Sequence, residues 1–322
     1  MIKVGMYLPV YGGWFHHLMG EEEKLPTYGY VKQAALKAEK IGIYSLWIPD
    51  HMLNPIKGDR APSLEAWTLA TAIAEATERV IIVNTTLCEA FRYPAVLAKQ
   101  VTTLSDISSG RFWLSIGAGW FKQEYEAYGL PFYEHDERVD RTKEAIQIIK
   151  RLWEEDSVTF SGKYYSTRNS ILEPKPDPMP PIWYAGVSEA SRNLVAEEAD
   201  GWLMRECSFE EAQKNITDMR ERLKKKGRGK IEFAIPGLTF IRDTDEEAKK
   251  YVEQITGGSK DVAGGALEAG LVGSPETVGQ KIKQLESIGI NHVLLQLTPT
   301  LTELQNVKKV LDVLRKIDPD YC

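Results

Sequence analysis

An aspartate and a histidine, Asp50 and His51, stand side by side after the apolar run 46–48 and Pro49. A carboxylate beside an imidazole can be half of a metal site, a pair that moves a proton in a catalytic pocket, or architecture. In the last case Asp50 caps a turn and His51 is an interior imidazole. Adjacent residues cannot easily bind one ion together, and no H-x-x-x-H or H-x-x-E spacing supports them, so the pattern disfavours a metal site. The choice between the other two depends on the elements that position the pair.

Strand and helix patterns alternate almost from end to end of the 322 residues. Most strand candidates are continuous apolar runs, as expected for parallel strands buried on both faces. Eight are predicted, at Lys3–Val10, Tyr44–Ile48, Val80–Thr86, Arg111–Ile116, Ile182–Ala185, Gly201–Met204, Ile231–Ile241 and His292–Leu297. Amphipathic helices are predicted at Tyr28–Ile41, Ser63–Thr77, Pro94–Ile107, Asp136–Glu154, Glu189–Glu198, Phe209–Lys226, Pro275–Ile288 and Leu301–Ile317. Eight βα units in a chain of this length favour an α/β fold, the (β/α)8 TIM barrel.

A doubly wound open sheet is the main rival, but the G-x-G-x-x-G turn that usually follows its first strand is absent. We therefore predict one domain over residues 1–322, a (β/α)8 barrel with two insertions. Residues 156–181 have the pattern of a hairpin followed by a proline-rich stretch. Residues 256–274 are glycine-rich, and we expect a mobile loop there that acts as a lid beside the barrel mouth.

Composition and charge disfavour several classes of protein. No run of 18 apolar residues occurs, so no segment is expected to span a membrane, and the N-terminus lacks the pattern of a signal peptide. The net charge of −6 is spread along the chain, and the longest basic stretch, 220–230, ends a predicted helix, which disfavours nucleic-acid binding. The cysteines Cys88, Cys207 and Cys322 fit neither a disulfide framework nor a zinc site. We expect a cytoplasmic protein without a metal.

The chemistry of a (β/α)8 barrel lies at the carboxyl ends of its strands. Asp50 and His51 come just after the second predicted strand and therefore belong to this rim. Aromatic and small residues dominate the rest of the rim, at Tyr11 and Trp14 after strand one, Thr85–Cys88 after strand three, Gly117–Trp120 after strand four and Gly186–Ser188 after strand five. Such a lining suits a large planar ligand better than a metal.

Five stretches, taken together, resemble the luciferase-like superfamily of flavin- and deazaflavin-dependent oxidoreductases. They are LWIPDH at 46–51, YPAVLAKQVTTLSDISSGRF at 93–112, GAGWFKQEYEAYGLPF at 117–132, PPIWYAGVSEASRNLVAEEADGW at 180–202 and LVGSPETVGQKIKQLESIGI at 271–290. The resemblance covers essentially the whole chain and lies near the alkanesulfonate and pyrimidine monooxygenase branch. It implies a (β/α)8 barrel with insertions, and FMN or coenzyme F-420 as the cofactor. It also implies a homodimer or homotetramer that assembles through helices two and three.

The resemblance further implies a set of cofactor-binding residues. The family uses the turn after strand five for the cofactor phosphate, which assigns that role to Gly186, Val187 and Ser188; free amides at a helix start attract an anion. An ordinary serine helix cap is the alternative. Thr85 and Thr86 would lie behind the cofactor ring, at a bulge or a non-prolyl cis peptide. Further contacts are expected from Gly117, Gly119, Trp120, His135 and Arg138, the last two in a segment that resembles the H-x-x-R of flavin monooxygenases.

Several departures from relatives bear on the reaction. The residues that alkanesulfonate monooxygenases use on the sulfonate correspond here to Tyr11, Pro236, Leu238 and Thr298. Because a sulfonate needs cationic donors, a sulfonate substrate is disfavoured. The glutamate that some F-420 enzymes use after strand four corresponds to Trp120.

Three functions therefore stay open. We favour a two-component monooxygenase, in which a separate flavin reductase supplies FMNH2 and O2 is used to oxygenate a small organic substrate. The alternatives are a hydride-transferring enzyme dependent on coenzyme F-420 and a non-catalytic flavin-binding relative. His51 would donate or accept a proton at the reactive edge of the cofactor, Asp50 would orient His51 or cap the loop, and Tyr11 is a further catalytic candidate. Basic rim residues that could meet the F-420 tail are Arg92, Arg138 and Arg205.

Overall fold

Eight parallel strands close into a ring in the computed structural model, which describes residues 1–12, 25–256, 260–319 and 321. These strands are β1 Lys3–Tyr7, β2 Ser45–Ile48, β3 Ile81–Asn84, β5 Phe112–Gly117, β8 Ile182–Ala185, β9 Gly201–Leu203, β10 Glu232–Ile241 and β12 His292–Gln296. They follow one another around the barrel in chain order, and β12 returns to pair with β1. The predicted (β/α)8 barrel is confirmed.

Four further strands of the described residues lie outside this ring. They are β4 Leu87–Cys88, which pairs with β5, β11 Leu271–Gly273, which pairs with β10, and the antiparallel hairpin of β6 Val158–Ser161 and β7 Ser166–Ser170. The hairpin lies within the stretch 156–181, where the sequence predicts one.

Helices alternate with the strands and cover the outside of the barrel. They are α1 Tyr28–Ile41, α2 Ala66–Ala76, α3 Pro94–Ile107, α4 Lys122–Ala127, α5 His135–Glu154, α6 Glu189–Glu198, α7 Phe209–Lys225, α8 Asp245–Ile255, α9 Lys260–Ala269, α10 Pro275–Ile288 and α11 Thr300–Ile317. Local chemistry sets their ends: the Thr27 side chain accepts from Tyr30 N at the start of α1, and Gly42 ends it with a φ of 96°. Among the described helices, none is long and apolar enough to cross a membrane.

Within the described residues of the stretch 256–274, regular secondary structure replaces the predicted loop. Helix α9 and strand β11 occupy most of it, and β11 extends the sheet beside β10. Apolar residues cause the difference, because Ala266 and Val272 are buried in one cluster with Phe240. The sequence prediction rested on the glycine content and did not take these buried residues into account. Residues 257–259 lie outside the described part of the chain.

Large aromatic side chains fill the inside of the barrel. Trp113 and Trp183 stack with ring centroids 5.9 Å apart, and Trp47 meets Trp183 edge-on at 5.6 Å. A Cβ at Gly201 on β9 would overlap the Trp183 indole, so only glycine fits at this position. The interior is therefore a packed core, and a ligand can bind only at the rim.

We expect Gly201→Ala to lower the free energy of unfolding by about 1–3 kcal/mol, because the added methyl group overpacks a filled core. Gly229→Ala is the matched control, since open space surrounds Gly229. Urea-induced unfolding of the wild type and both variants measures the difference. Equal stabilities of the two variants would show that the Trp183 contact does not constrain β9.

Candidate active site

A cavity of about 720 Å³ lies at the carboxyl ends of the barrel strands. Nearly all of the predicted site residues line it, namely Asp50, His51, Thr85, Thr86, Gly117, Gly119, Trp120, His135, Arg138, Gly186, Val187 and Ser188. Tyr11 is buried close by, with its ring centroid 6.0 Å from that of His51. Trp14 lies outside the described residues. The residues brought together come from four different strand ends and from two helix starts.

His51 is held by a carboxylate that the sequence reasoning missed. Its Nδ1 lies 3.0 Å and 3.2 Å from the two carboxylate oxygens of Glu124, on α4. Glu124 also accepts the backbone N–H of Met52 at 2.9 Å, and its side chain is only 2% exposed. Since an ionised carboxylate only accepts hydrogen bonds, Nδ1 carries the hydrogen and Nε2 is the nitrogen left for a ligand. The sequence indication of this partner was Glu124 within the stretch GAGWFKQEYEAYGLPF at 117–132.

Asp50 has a different set of partners. Its carboxylate accepts the backbone N–H of Cys88 at 2.8 Å and two N–H groups of Arg92 at 2.6 and 3.1 Å. These bonds fasten the loop after β3 to the loop after β2, so they support the loop-capping alternative. Arg92 also donates to Glu65 at 2.7 Å and is 9% exposed, so its prediction as a basic rim residue is wrong. Arg205, in contrast, is 70% exposed.

Aromatic rings surround the His51 imidazole. Trp120 and Phe121 meet it edge-on, with centroids 5.4 and 6.0 Å from that of His51, and Tyr11 lies on a third side. The Trp120 side chain is 65% exposed at the mouth of the cavity. Three aromatic rings therefore enclose the imidazole that Glu124 holds.

Burial keeps the other titratable donors near His51 protonated. It raises the pKa of the Tyr11 phenol well above its usual range and that of the Cys88 thiol to about 12, and the carboxylates of Asp50 and Glu124 add to both shifts. Neither group loses its proton at neutral pH.

A surface with few side chains lies between this end and the opposite one. The peptide bond between Thr85 and Thr86 is cis, one of the two alternatives that the family resemblance implies. A Cβ at Gly117 would overlap the Thr86 hydroxyl, and one at Gly119 would overlap the hydroxyl of Tyr125. Gly119 also has a φ of 72°, which favours glycine. Thr85, Thr86, Gly117 and Gly119 therefore give the cavity a lining of small residues, which suits a planar ring.

The opposite end of the cavity has the features of an anion site. Gly186, Val187 and Ser188 form the turn between β8 and α6, and the Ser188 hydroxyl accepts Ser191 N at 3.1 Å as a helix cap. Arg138 lies here too, 8% exposed, and within the described residues its Nε has no hydrogen-bond partner. A buried cation with an unused donor beside free helix-start amides is an arrangement that attracts an anion.

His135 also lines this end, at the start of α5. Its side chain is about half exposed and pairs with Asp136 at 2.9 Å. Within the described part of the chain, no group of three or more His, Cys, Asp or Glu side chains could hold a metal ion.

Comparisons with known proteins agree with this geometry. The luciferase-like monooxygenase family model matches residues 3–292. The FMNH2-dependent dimethylsulfone monooxygenase of Pseudomonas putida is 28% identical over 71% of this chain and 72% of its own length. The F420-dependent glucose-6-phosphate dehydrogenase of Amycolatopsis mediterranei is 33% identical over 57% of this chain and 54% of its own. An F420-dependent secondary alcohol dehydrogenase superposes with a TM-score of 0.80 over 98% of this chain and 99% of its own, at 22% identity. The chain belongs to the luciferase-like monooxygenase family.

Proposed function

We propose that this oxidoreductase is a two-component monooxygenase that takes FMNH2 from a separate flavin reductase and uses O2 to oxygenate a small organic substrate. One observation carries the proposal: a single cavity is lined by Arg138 and the turn 186–188 and also by the hydrogen-bonded pair of His51 and Glu124. The dimethylsulfone monooxygenase relatives, which match most of the chain, support the choice of FMNH2.

The phosphate of FMN fits the anion site. The Arg138 guanidinium supplies a buried positive charge whose Nε has no acceptor among the described residues. The turn 186–188 supplies backbone N–H groups at the start of α6. Gly186 has no room for a side chain, because a Cβ there would overlap Ser191. We assign the phosphate to these groups, with His135 beside them.

The isoalloxazine ring would lie on the surface formed by Thr85, Thr86, Gly117 and Gly119. Reduced FMN supplies the electrons with which O2 is activated. The residues of the chain hold the ring and control protons. His51 donates or accepts a proton through Nε2, and Glu124 stabilises the imidazole when it is charged.

The charge around His51 also bears on the substrate. Two buried carboxylates, Asp50 and Glu124, lie at this end, and the arginine beside them, Arg92, is already paired with Asp50 and Glu65. Among the described residues, no unpaired cation faces this part of the cavity. We therefore propose an uncharged substrate, since an anion would be repelled here.

An F-420-dependent reaction is the second candidate function. The dehydrogenase relative at 33% identity and the position of His51 after β2 favour it. Both cofactors carry a phosphate, so the anion site does not separate them. Equilibrium binding of FMNH2 and of reduced F-420 under anaerobic conditions distinguishes the two functions. Tight binding of F-420 together with weak binding of FMNH2 would overturn the monooxygenase proposal.

We also propose that the chain forms a homodimer through α3. Large exposed apolar side chains gather on one face, namely Tyr93, Val96 and Ile107 along α3 with Ile171 and Met179 beside it. The neighbouring segment lies against α3 because Lys99 Nζ donates to the carbonyl of Glu173. Contiguous apolar patches of this kind mark interaction sites.

The first prediction tests the role of His51. We expect His51→Ala to slow oxidation of bound FMNH2 in the presence of dimethyl sulfone about 10²-fold, the usual scale for a general acid–base group. FMNH2 affinity should change little, because the anion site is untouched. Stopped-flow absorbance and melting temperature are measured on the same preparation. A destabilised variant with normal oxidation rates would show that His51 has a structural role and not a catalytic one.

The second prediction tests the anion site. We expect Gly186→Val to abolish the preference of the protein for FMNH2 over reduced riboflavin, which lacks the phosphate, with little loss of secondary structure. Arg138→Met should reduce that preference about tenfold or more, because a charge-assisted bond is lost. Anaerobic titration calorimetry measures both affinities. An unchanged preference in either variant would place the phosphate elsewhere.

The third prediction tests the dimer. We expect Val96→Glu to shift the protein to a monomer, because the charge would be buried at the centre of the patch. Leu36→Glu is the matched control, since Leu36 is 40% exposed on α1 and lies outside the patch. Sedimentation velocity gives the molar mass of each. A wild-type monomer, or equal effects of both substitutions, would contradict the proposed interface.

A further inference from the structure

The first two carbonyl groups of the turn 186–188, those of Gly186 and Val187, each accept a hydrogen bond from a side chain outside the cavity lining. The indole Nε1 of Trp202 donates to Gly186 O at 2.9 Å, and Nε of Arg192 donates to Val187 O at 3.0 Å. Trp202 is fully buried on β9. Arg192 lies on α6 with its guanidinium 5.9 Å from the Trp202 ring centroid, and it is fixed by Asp218 at 3.1 Å.

The planarity of the peptide bond turns these two contacts into a constraint on the opposite side of the turn. In a trans peptide, the C=O of one residue and the N–H of the next point in opposite directions. A Gly186 carbonyl held toward Trp202 therefore directs Val187 N–H away from it. A Val187 carbonyl held toward Arg192 does the same for Ser188 N–H. Neither N–H donates a hydrogen bond to the described part of the chain.

We propose that Trp202 and Arg192 are positioning residues that aim the N–H groups of Val187 and Ser188 at the cofactor phosphate. The inference rests on the proposed phosphate site, for which the unpartnered Nε of the buried Arg138 is the independent observation. Neither positioning residue touches the ligand. Their contribution is preorganisation: the two donors face the anion before it binds, so binding does not have to order the turn.

The test compares reduced FMN with reduced riboflavin, which differ only in the phosphate. We expect Trp202→Phe to lower the FMN-to-riboflavin affinity ratio about three- to tenfold, the effect of losing one orienting hydrogen bond. Riboflavin affinity should stay near that of the wild type. Trp153→Phe is the matched control, because Trp153 is also buried and donates Nε1 to a carbonyl, Ala98 O, at 3.2 Å. It should lower stability similarly and leave the ratio unchanged.

A second variant keeps the test decisive if Trp202→Phe does not fold. Arg192→Met, at a partly exposed helix position, removes the hydrogen bond to the Val187 carbonyl and should lower the same affinity ratio. Its control is Arg222→Met, which removes an equal charge from the same cluster, since Arg222 also binds Asp218 but donates nothing to the turn. A ratio that falls equally in both arginine variants would overturn the positioning role in favour of long-range charge.

The wild-type measurement separates the two proposals. If the wild type shows no preference for FMN over riboflavin, the phosphate site of the proposed function is wrong. If the wild type prefers FMN and both Trp202→Phe and Arg192→Met keep that preference, the site stands and the positioning inference is wrong.

Discussion

Closing eight strands into a ring creates an interior that must be filled, and in this protein Trp47, Trp113 and Trp183 fill it. Gly201, on the neighbouring strand β9, pairs with Trp183, and a side chain there would overlap the Trp183 indole. Because nothing can enter a barrel packed in this way, chemistry is confined to the rim where the strands end. The parallel direction of the strands then brings residues that are distant in sequence to one cavity.

Burial of negative charge is the second constraint, and it shapes the reactive end of the cavity. A buried carboxylate is stable only with a partner. Asp50 has Arg92 and a backbone N–H, so its charge is balanced by a permanent cation. Glu124 has a backbone N–H and His51, a partner that can gain or lose a proton. The two carboxylates therefore differ in kind: Asp50 fastens two loops, and Glu124 holds the imidazole to which we assign the proton transfer.

How far the sequence predicted this site depends on the range of each interaction. The eight barrel strands and the eight predicted helices follow local patterns, and the structure agrees with them. The cis peptide before Thr86 is one of the two alternatives that the family resemblance implies. The bond between His51 and Glu124 joins residues 73 positions apart through the placement of the short helix α4, which no periodicity indicates. The prediction of Arg92 as a basic rim residue is wrong for the same reason, since only the fold shows that Asp50 and Glu65 already bind it. The loop predicted at 256–274 is not observed, because buried apolar residues there matter more for the fold than the glycine content.

The two ends of the cavity follow different physics, and this bears on how one family can contain both FMNH2-dependent and F420-dependent enzymes. In the proposed site, backbone N–H groups and Arg138 bind a phosphate, a group that both cofactors share. Behind the turn 186–188, Trp202 donates a hydrogen bond to the Gly186 carbonyl and does not line the cavity. Discrimination between cofactors then falls to the end around His51, where shape, charge and access of O2 decide the reaction. Substitutions at that end can change the chemistry without disturbing the phosphate site, because no hydrogen bond described here joins the two.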